Sequence, residues 1–219
     1  MSLDTHPHAI SEARRRILAE IGDEVTLVAA SKRQPDSRID EALAAGQRVF
    51  GENRVQEAQA RWGDRKADYP DLELRLIGPL QTNKAEDAVA AFDVIETLDR
   101  PKLLNAPIKA VAKQQVSPPD LLIQVNTGNE PQKGGVSVEN LVGLLEQART
   151  SYPGNIRGLM CIPPAAEPAA PHFALLKRLV DQFDLSTVSM GMSGDYALAA
   201  RLGATHVRVG TAFFGAREA

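Results

Sequence analysis

Cysteine is almost missing from this chain. Cys161 is the single one among 219 residues, which excludes an internal disulfide framework and a four-cysteine zinc site within one chain. The four histidines, His6, His8, His172 and His206, show no metal-ligand spacing, so no metal is expected. No apolar run approaches the roughly 20 residues of a transmembrane helix. The stretch from Met1 to Ile10 is polar and carries no apolar core of a signal peptide. A soluble, cytoplasmic protein is the expectation. An excess of positive charge is missing too. With 25 basic and 28 acidic residues the net charge is −3, which argues against a general nucleic-acid surface.

The residues that are present describe an ordinary globular chain, 43% hydrophobic and 24% charged. Ile10, Ala13, Ile17, Leu18 and Ile21 recur at helical spacing and Gly22 closes the stripe. Eight short strands are then expected: Val25–Lys32, Arg48–Asn53, Leu74–Gly78, Asp93–Leu98, Asp120–Asn126, Ile156–Ile162, Thr187–Ser193 and His206–Gly210. Helical stripes separate them. One starts at Ser37 and Asp40, spaced like a capping box. Another carries Val138, Leu141, Val142 and Leu145, and a third Phe173, Leu176, Leu179, Val180 and Phe183. Strands alternating with helices, with no linker or low-complexity break, predict one parallel α/β domain over residues 1–219. Eight strands suit a closed (β/α)8 TIM barrel with an extra N-terminal helix. A doubly wound open sheet is the runner-up.

The strand Val25-Thr26-Leu27-Val28-Ala29-Ala30-Ser31-Lys32 ends an apolar run on a lysine. Side chains alternate along a strand, so Val28, Ala30 and Lys32 share one face. If that face points into a barrel, Lys32 sits in its mouth, where burial lowers an amine's pKa and suits it to Schiff-base chemistry. The plain alternative is a solvated strand-end charge. In such barrels phosphates bind at the loops after strands seven and eight. Here those loops read Ser189-Met190-Gly191-Met192-Ser193-Gly194-Asp195 and Arg208-Val209-Gly210-Thr211. Glycines let backbone approach an anion and a helix start presents free N–H groups. Ser193 adds a hydroxyl, or caps the helix expected from Asp195. Gly210 and Thr211 add an amide and a hydroxyl, and Arg208 points into the mouth. An amine beside a phosphate cup suits a phosphorylated aldehyde, and pyridoxal 5′-phosphate fits. A lysine-dependent sugar-phosphate lyase fits the same elements.

Asn53, at the end of strand two, is placed to face the ligand ring. Lys133 reads as an ordinary loop lysine and Lys84 as a structural or rim residue. Cys161 reads as core, and no serine–histidine–acid arrangement is apparent.

Val28-Ala29-Ala30-Ser31-Lys32, Gly51-Glu52-Asn53-Arg54-Val55-Gln56-Glu57, Ile77-Gly78-Pro79-Leu80-Gln81-Thr82-Asn83-Lys84, Gly158-Leu159-Met160-Cys161-Ile162, Ser189-Met190-Gly191-Met192-Ser193 and Val207-Arg208-Val209-Gly210 together resemble the pyridoxal phosphate homeostasis protein family. That family is similar to the N-terminal barrel of alanine racemase, of fold-type III. The resemblance implies pyridoxal phosphate held on Lys32 as an internal aldimine. It implies phosphate contacts from Ser193, Gly210 and Thr211, with Arg208 near the pyridine nitrogen. It further implies a protein that buffers or delivers the cofactor, with transient contact to pyridoxal-phosphate-dependent apoenzymes, and so influences amino-acid and keto-acid balance; a monomer is expected because the dimer-forming domain of alanine racemase does not follow the eighth strand. An arginine at the ring nitrogen weakens the ring as an electron sink. Tyr69, Tyr152 and Tyr196 lie in no recognisable base motif, so no catalytic residue is assigned. A fold-type III racemase or lyase with its own turnover is the alternative. Two departures from the family stand out: Arg75 where histidine is common, and the Pro168 to Pro171 stretch where arginine is frequent. Both are expected to affect peripheral contacts only.

Overall fold

The computed structural model describes residues 8–215. Nine strands are found there: β1 (Thr26–Ala30), β2 (Val49–Glu52), β3 (Glu73–Leu76), β4 (Val94–Leu98), β5 (Asp120–Asn126), β6 (Val136–Ser137), β7 (Ile156–Cys161), β8 (Thr187–Ser189) and β9 (His206–Val209). All pairings are parallel, and β4 pairs with β5 through Val94↔Asp120 and Leu98↔Ile123. That pairing turns an open ladder into a closed ring of eight strands, with β6 a short addition beside the end of β5. The open-sheet alternative is thereby overturned, and β1 lies against β9 with Val28 opposite Arg208.

The helices are α1 (His8–Ile21), α2 (Asp36–Ala44), α3 (Val55–Trp62), α4 (Arg65–Asp68), α5 (Ala85–Ala91), α6 (Pro101–Gln114), α7 (Leu141–Ser151), α8 (Ala169–Gln182), α9 (Tyr196–Arg201) and α10 (Thr211–Phe214). A 3-10 turn, Thr82–Lys84, leads into α5. The extra helix α1 buries Ile10, Ile17 and Ile21. Alternation divides the strand residues cleanly. Leu27, Ala29, Phe50, Leu74, Leu76, Ile95, Leu121, Ile123, Leu159, Val188 and Val207 join the apolar layer between ring and helices. The opposite face carries a small apolar cluster of Val94, Leu122 and Met160, together with buried Arg75, Glu96, Ser189 and Arg208.

Three local expectations are corrected, and one short strand was not expected at all. The helix α2 begins at Asp36 behind Pro35 and no side chain caps it, so Ser37 and Asp40 form no capping box. Proline's fixed φ at that boundary sets the entry instead. Ser193 does not cap α9. Asp195 stands at that boundary, and its Oδ1 accepts the Met192 N–H at 2.6 Å. Val138 lies outside α7, and Val142 is 44% exposed because Leu141, Leu144, Leu145 and Ala148 form the buried stripe. The strand β6 has only two residues, too few to show a period.

Candidate functional site

The strand β1 stops two residues short of Lys32, and Arg33 turns the chain through a left-handed φ of 58°, an uncommon conformation for a non-glycine residue. A buried carboxylate holds this turn. Glu52 Oε1 accepts hydrogen bonds from Ser31 Oγ (2.8 Å), Arg61 Nη1 (2.8 Å) and Trp62 Nε1 (3.0 Å). Arg61 also donates to the carbonyls of Ser31 and Gln34. The end of β1, the end of β2 and α3 are thus tied through one side chain next to Lys32.

The next residue after Glu52 is Asn53. Gly78 packs so closely against it that a Cβ at position 78 would lie 2.3 Å from the Asn53 carbonyl oxygen. Only glycine permits that approach, and it fixes Asn53 at the mouth. Gly191 has φ 89°, and a Cβ there would meet Ala199 at 2.5 Å. Its role is to fold the loop after β8 onto α9. Ser193 Oγ accepts the Ala212 N–H at 3.1 Å, joining the loop after β8 to the start of α10.

These loops enclose a cavity of about 310 Å³, at the lower end of the ~300–1,000 Å³ range of small-molecule sites. Lys32, Asn53, Ser193, Arg208, Gly210 and Thr211 all line it, with Ala30, Ile77, Ile162, Met192 and Gly194. A smaller recess of about 240 Å³ shares Lys32 and Asn53 and adds Arg33, Arg54 and Glu57. Lys84 lies in neither. It lines an adjoining groove with Arg54 and Arg100 and sits 3.6 Å from Asp87. Lys133 is ion-paired with Glu130 at 2.6 Å within its own loop.

Beneath the cavity lies a charged row that the sequence did not announce. Arg208 Nη2 donates to the Cys161 carbonyl (2.9 Å) and Nη1 to Ser189 Oγ (2.8 Å). Ser189 Oγ donates to Glu96 Oε2 (2.6 Å), and Arg75 Nε donates to Glu96 Oε1 (2.6 Å). Burial alone raises the Glu96 carboxyl pKa, but the charges of Arg75 and Arg208, with hydrogen bonds from Ser189 and Arg75, bring it below its ordinary value. Arg75 is therefore not peripheral, contrary to the expectation: it is buried and three hydrogen bonds from Arg208. The signal was Glu96, a carboxylate in the middle of an apolar strand. Burial pushes the Cys161 thiol up to about 12, which fits its reading as core. His206 faces the other end of the ring, in a recess with Glu73, Arg75, Asp120 and Arg157. His6 lies outside the described residues. His172 sits between Thr127 Oγ1 (3.1 Å) and Glu167 Oε2 (3.2 Å), joining the loops after β5 and β7. Among the described residues no group of three or more His, Cys, Asp or Glu side chains is placed to hold a metal ion, and no helix is long and apolar enough to cross a membrane.

Fold and site together define a class, the barrel of alanine racemase. The family model for the alanine racemase N-terminal domain matches residues 8–218. An alanine racemase of Clostridium difficile superposes with a TM-score of 0.76 at 12% identity, over 96% of this chain and 57% of that one, a likeness of fold alone. Nearer relatives narrow the class. The pyridoxal phosphate homeostasis protein of Pseudomonas aeruginosa is 41% identical, covering 89% of this chain and 85% of the relative. That of Vibrio alginolyticus is 39% identical over 90% and 88%. PipY of Synechococcus elongatus, solved without and with bound PLP, is 39% identical; the PLP-bound form gives a TM-score of 0.85 and covers 94% of this chain and 100% of that one. The chain belongs to the pyridoxal phosphate homeostasis protein family.

Proposed function

We propose that this chain is a cytoplasmic, monomeric pyridoxal 5′-phosphate carrier that keeps the cofactor on Lys32 and buffers it or passes it to apoenzymes. The observation that carries this reading is the convergence on one cavity of Lys32, Asn53, Ser193, Arg208, Gly210 and Thr211, which come from the C-terminal ends of four strands, β1, β2, β8 and β9, and the turns that follow them. The donor set suits the group. When bound, pyridoxal phosphate supplies an aldehyde that condenses with a primary amine, and a phosphate dianion that takes hydrogen-bond donors. Lys32 provides the amine at the end of β1. Ser193, Gly210 and Thr211 provide hydroxyl and backbone groups on the facing loops, and Arg208 supplies positive charge at the floor. Ile77, Ile162 and Met192 add apolar wall for a flat ring.

Support for a carrier over an enzyme comes from the wall composition. Among the described residues, the ionisable side chains lining this cavity are Lys32 and Arg208, with no imidazole, phenol or carboxylate beside them; Glu57 lies in the adjoining smaller recess. Tyr152 donates to the Pro119 carbonyl (2.6 Å) and Tyr196 to Glu20 (2.8 Å), both elsewhere in the fold. Purified protein is expected to take up pyridoxal phosphate with a visible absorbance that Lys32→Ala abolishes. Borohydride should then fix the added mass on the Lys32 peptide. A protein that takes up no cofactor overturns the reading. Exchange of amino-acid α-protons by wild type, lost in Lys32→Ala, overturns the carrier role in favour of a racemase or lyase.

A further inference from the structure

The residues beneath the cavity form a row with a defined direction. A guanidinium can only donate hydrogen bonds and an ionised carboxylate can only accept them. Ser189 stands between one of each, 2.8 Å from Arg208 Nη1 and 2.6 Å from Glu96 Oε2. Its single proton must therefore point to Glu96, and its lone pair must receive Arg208. The orientation of the hydroxyl is fixed by its neighbours. Arg208 and Glu96 are themselves 3.9 Å apart, so the serine closes a gap that the two charges leave. The second guanidinium nitrogen is held by the Cys161 carbonyl at 2.9 Å. Arg208 is 4% exposed, Glu96 and Ser189 not at all. Water does not compete for any link.

The row extends one step further. Arg75 holds the other Glu96 oxygen and is itself ion-paired with Glu73. Because arginine keeps its charge in proteins, Arg75 keeps Glu96 ionised, as the lowered carboxyl pKa reflects. Glu96 is thus anchored on the side away from the cavity and presents its free edge to Ser189.

Two of the five N–H groups of Arg208 are consumed by these fixed partners. Arg208 belongs to the cavity wall that also contains Lys32. We propose that Glu96 and Ser189 are positioning residues for cofactor binding: they lock Arg208 so that a remaining N–H is aimed into the Lys32 cavity as a donor to the pyridine nitrogen. This rests on the carrier reading. Neither Glu96 nor Ser189 lines the cavity; both act through Arg208. With the cofactor bound, a donor-only partner at that nitrogen would disfavour its protonation, so the lock would govern the colour and pH response of the loaded protein as well as its affinity.

The test is a double-mutant cycle on the full chain with pyridoxal phosphate as the probe. Ser189→Ala is expected to weaken uptake about tenfold, the range of one charge-assisted hydrogen bond. It is also expected to move the pH at which the bound absorbance changes. The same substitution in an Arg208→Ala background is expected to change affinity less than about twofold, since coupled residues are non-additive. A merely structural role for Ser189 lowers thermal stability equally in both backgrounds and leaves the pH response untouched. Wild-type affinity and pH response in Ser189→Ala, or equal losses in both backgrounds, overturns the proposal. If Ser189→Ala does not fold by circular dichroism, Glu96→Gln, which keeps the side-chain shape, takes its place in the cycle, with the same losses expected and the same results overturning the proposal. Failure of wild type to take up the cofactor removes the carrier reading. Normal wild-type uptake with indifferent variants removes only the positioning role.

Discussion

The two faces of the barrel sheet are built from different materials. The outer face is apolar, with Phe50, Leu74, Ile95, Ile123 and Val207 packed under helices. The inner face carries a small apolar cluster of Val94, Leu122 and Met160 with Val28 and Ala30, and beside them buries Arg75, Glu96, Ser189 and Arg208. Burying apolar surface contributes about 25 cal/mol per Å². Buried ion pairs contribute little net stability, because desolvation offsets their attraction. The sleeve between sheet and helices therefore carries the stability. The interior gives its volume to holding one cation in place beneath the mouth.

Three substitutions sharpen that contrast. The largest effect belongs to the sleeve. Phe173→Ala, at a fully buried position on α8, should lower unfolding free energy by about 3–5 kcal/mol in urea titrations. Cofactor affinity per folded molecule should stay unchanged, the inverse of Ser189→Ala. An affinity loss on the scale of the stability loss breaks the division.

The second concerns pH. Burial, then the Arg75 charge, pushes His206 down to about 4 from an ordinary 6.5. As pH falls below 6.5 the unfolded chain binds a proton that the folded chain refuses. Stability is then lost between pH 6.5 and 4, by about 2–3 kcal/mol on the linkage relation. The difference between wild type and His206→Gln across that window isolates the contribution, and parallel curves contradict it.

The smallest effect lies outside both faces. Val142→Ser, at an exposed position of α7, should change stability by less than about 0.5 kcal/mol.

Much of the fold was legible because its signals are local. The eight barrel strands and intervening helices follow from period and length, and Lys32 stood out as a charge ending an apolar run. The cavity-lining residues were legible because barrel mouths collect the loops after successive strands. The misses are of two kinds. Capping signals at Ser37 and Ser193 were read from residue type, while proline geometry and a hydrogen bond to Ala212 decided the outcome. The charged row was hidden for a different reason. Arg75, Glu96, Ser189 and Arg208 sit on four strands, β3, β4, β8 and β9. They meet only across the closed ring, and no spacing along the chain encodes that meeting.

Ring closure has a consequence for how the molecule behaves among its neighbours. An open sheet ends in two strands whose N–H and C=O groups remain available to another chain, and those edges seed aggregation. The contact of Val94 with Asp120 and of Leu98 with Ile123 leaves the eight-strand sheet without an end strand to peel away or recruit a partner. Only the two-residue β6, appended beside the end of β5, leaves a strand edge outside that ring.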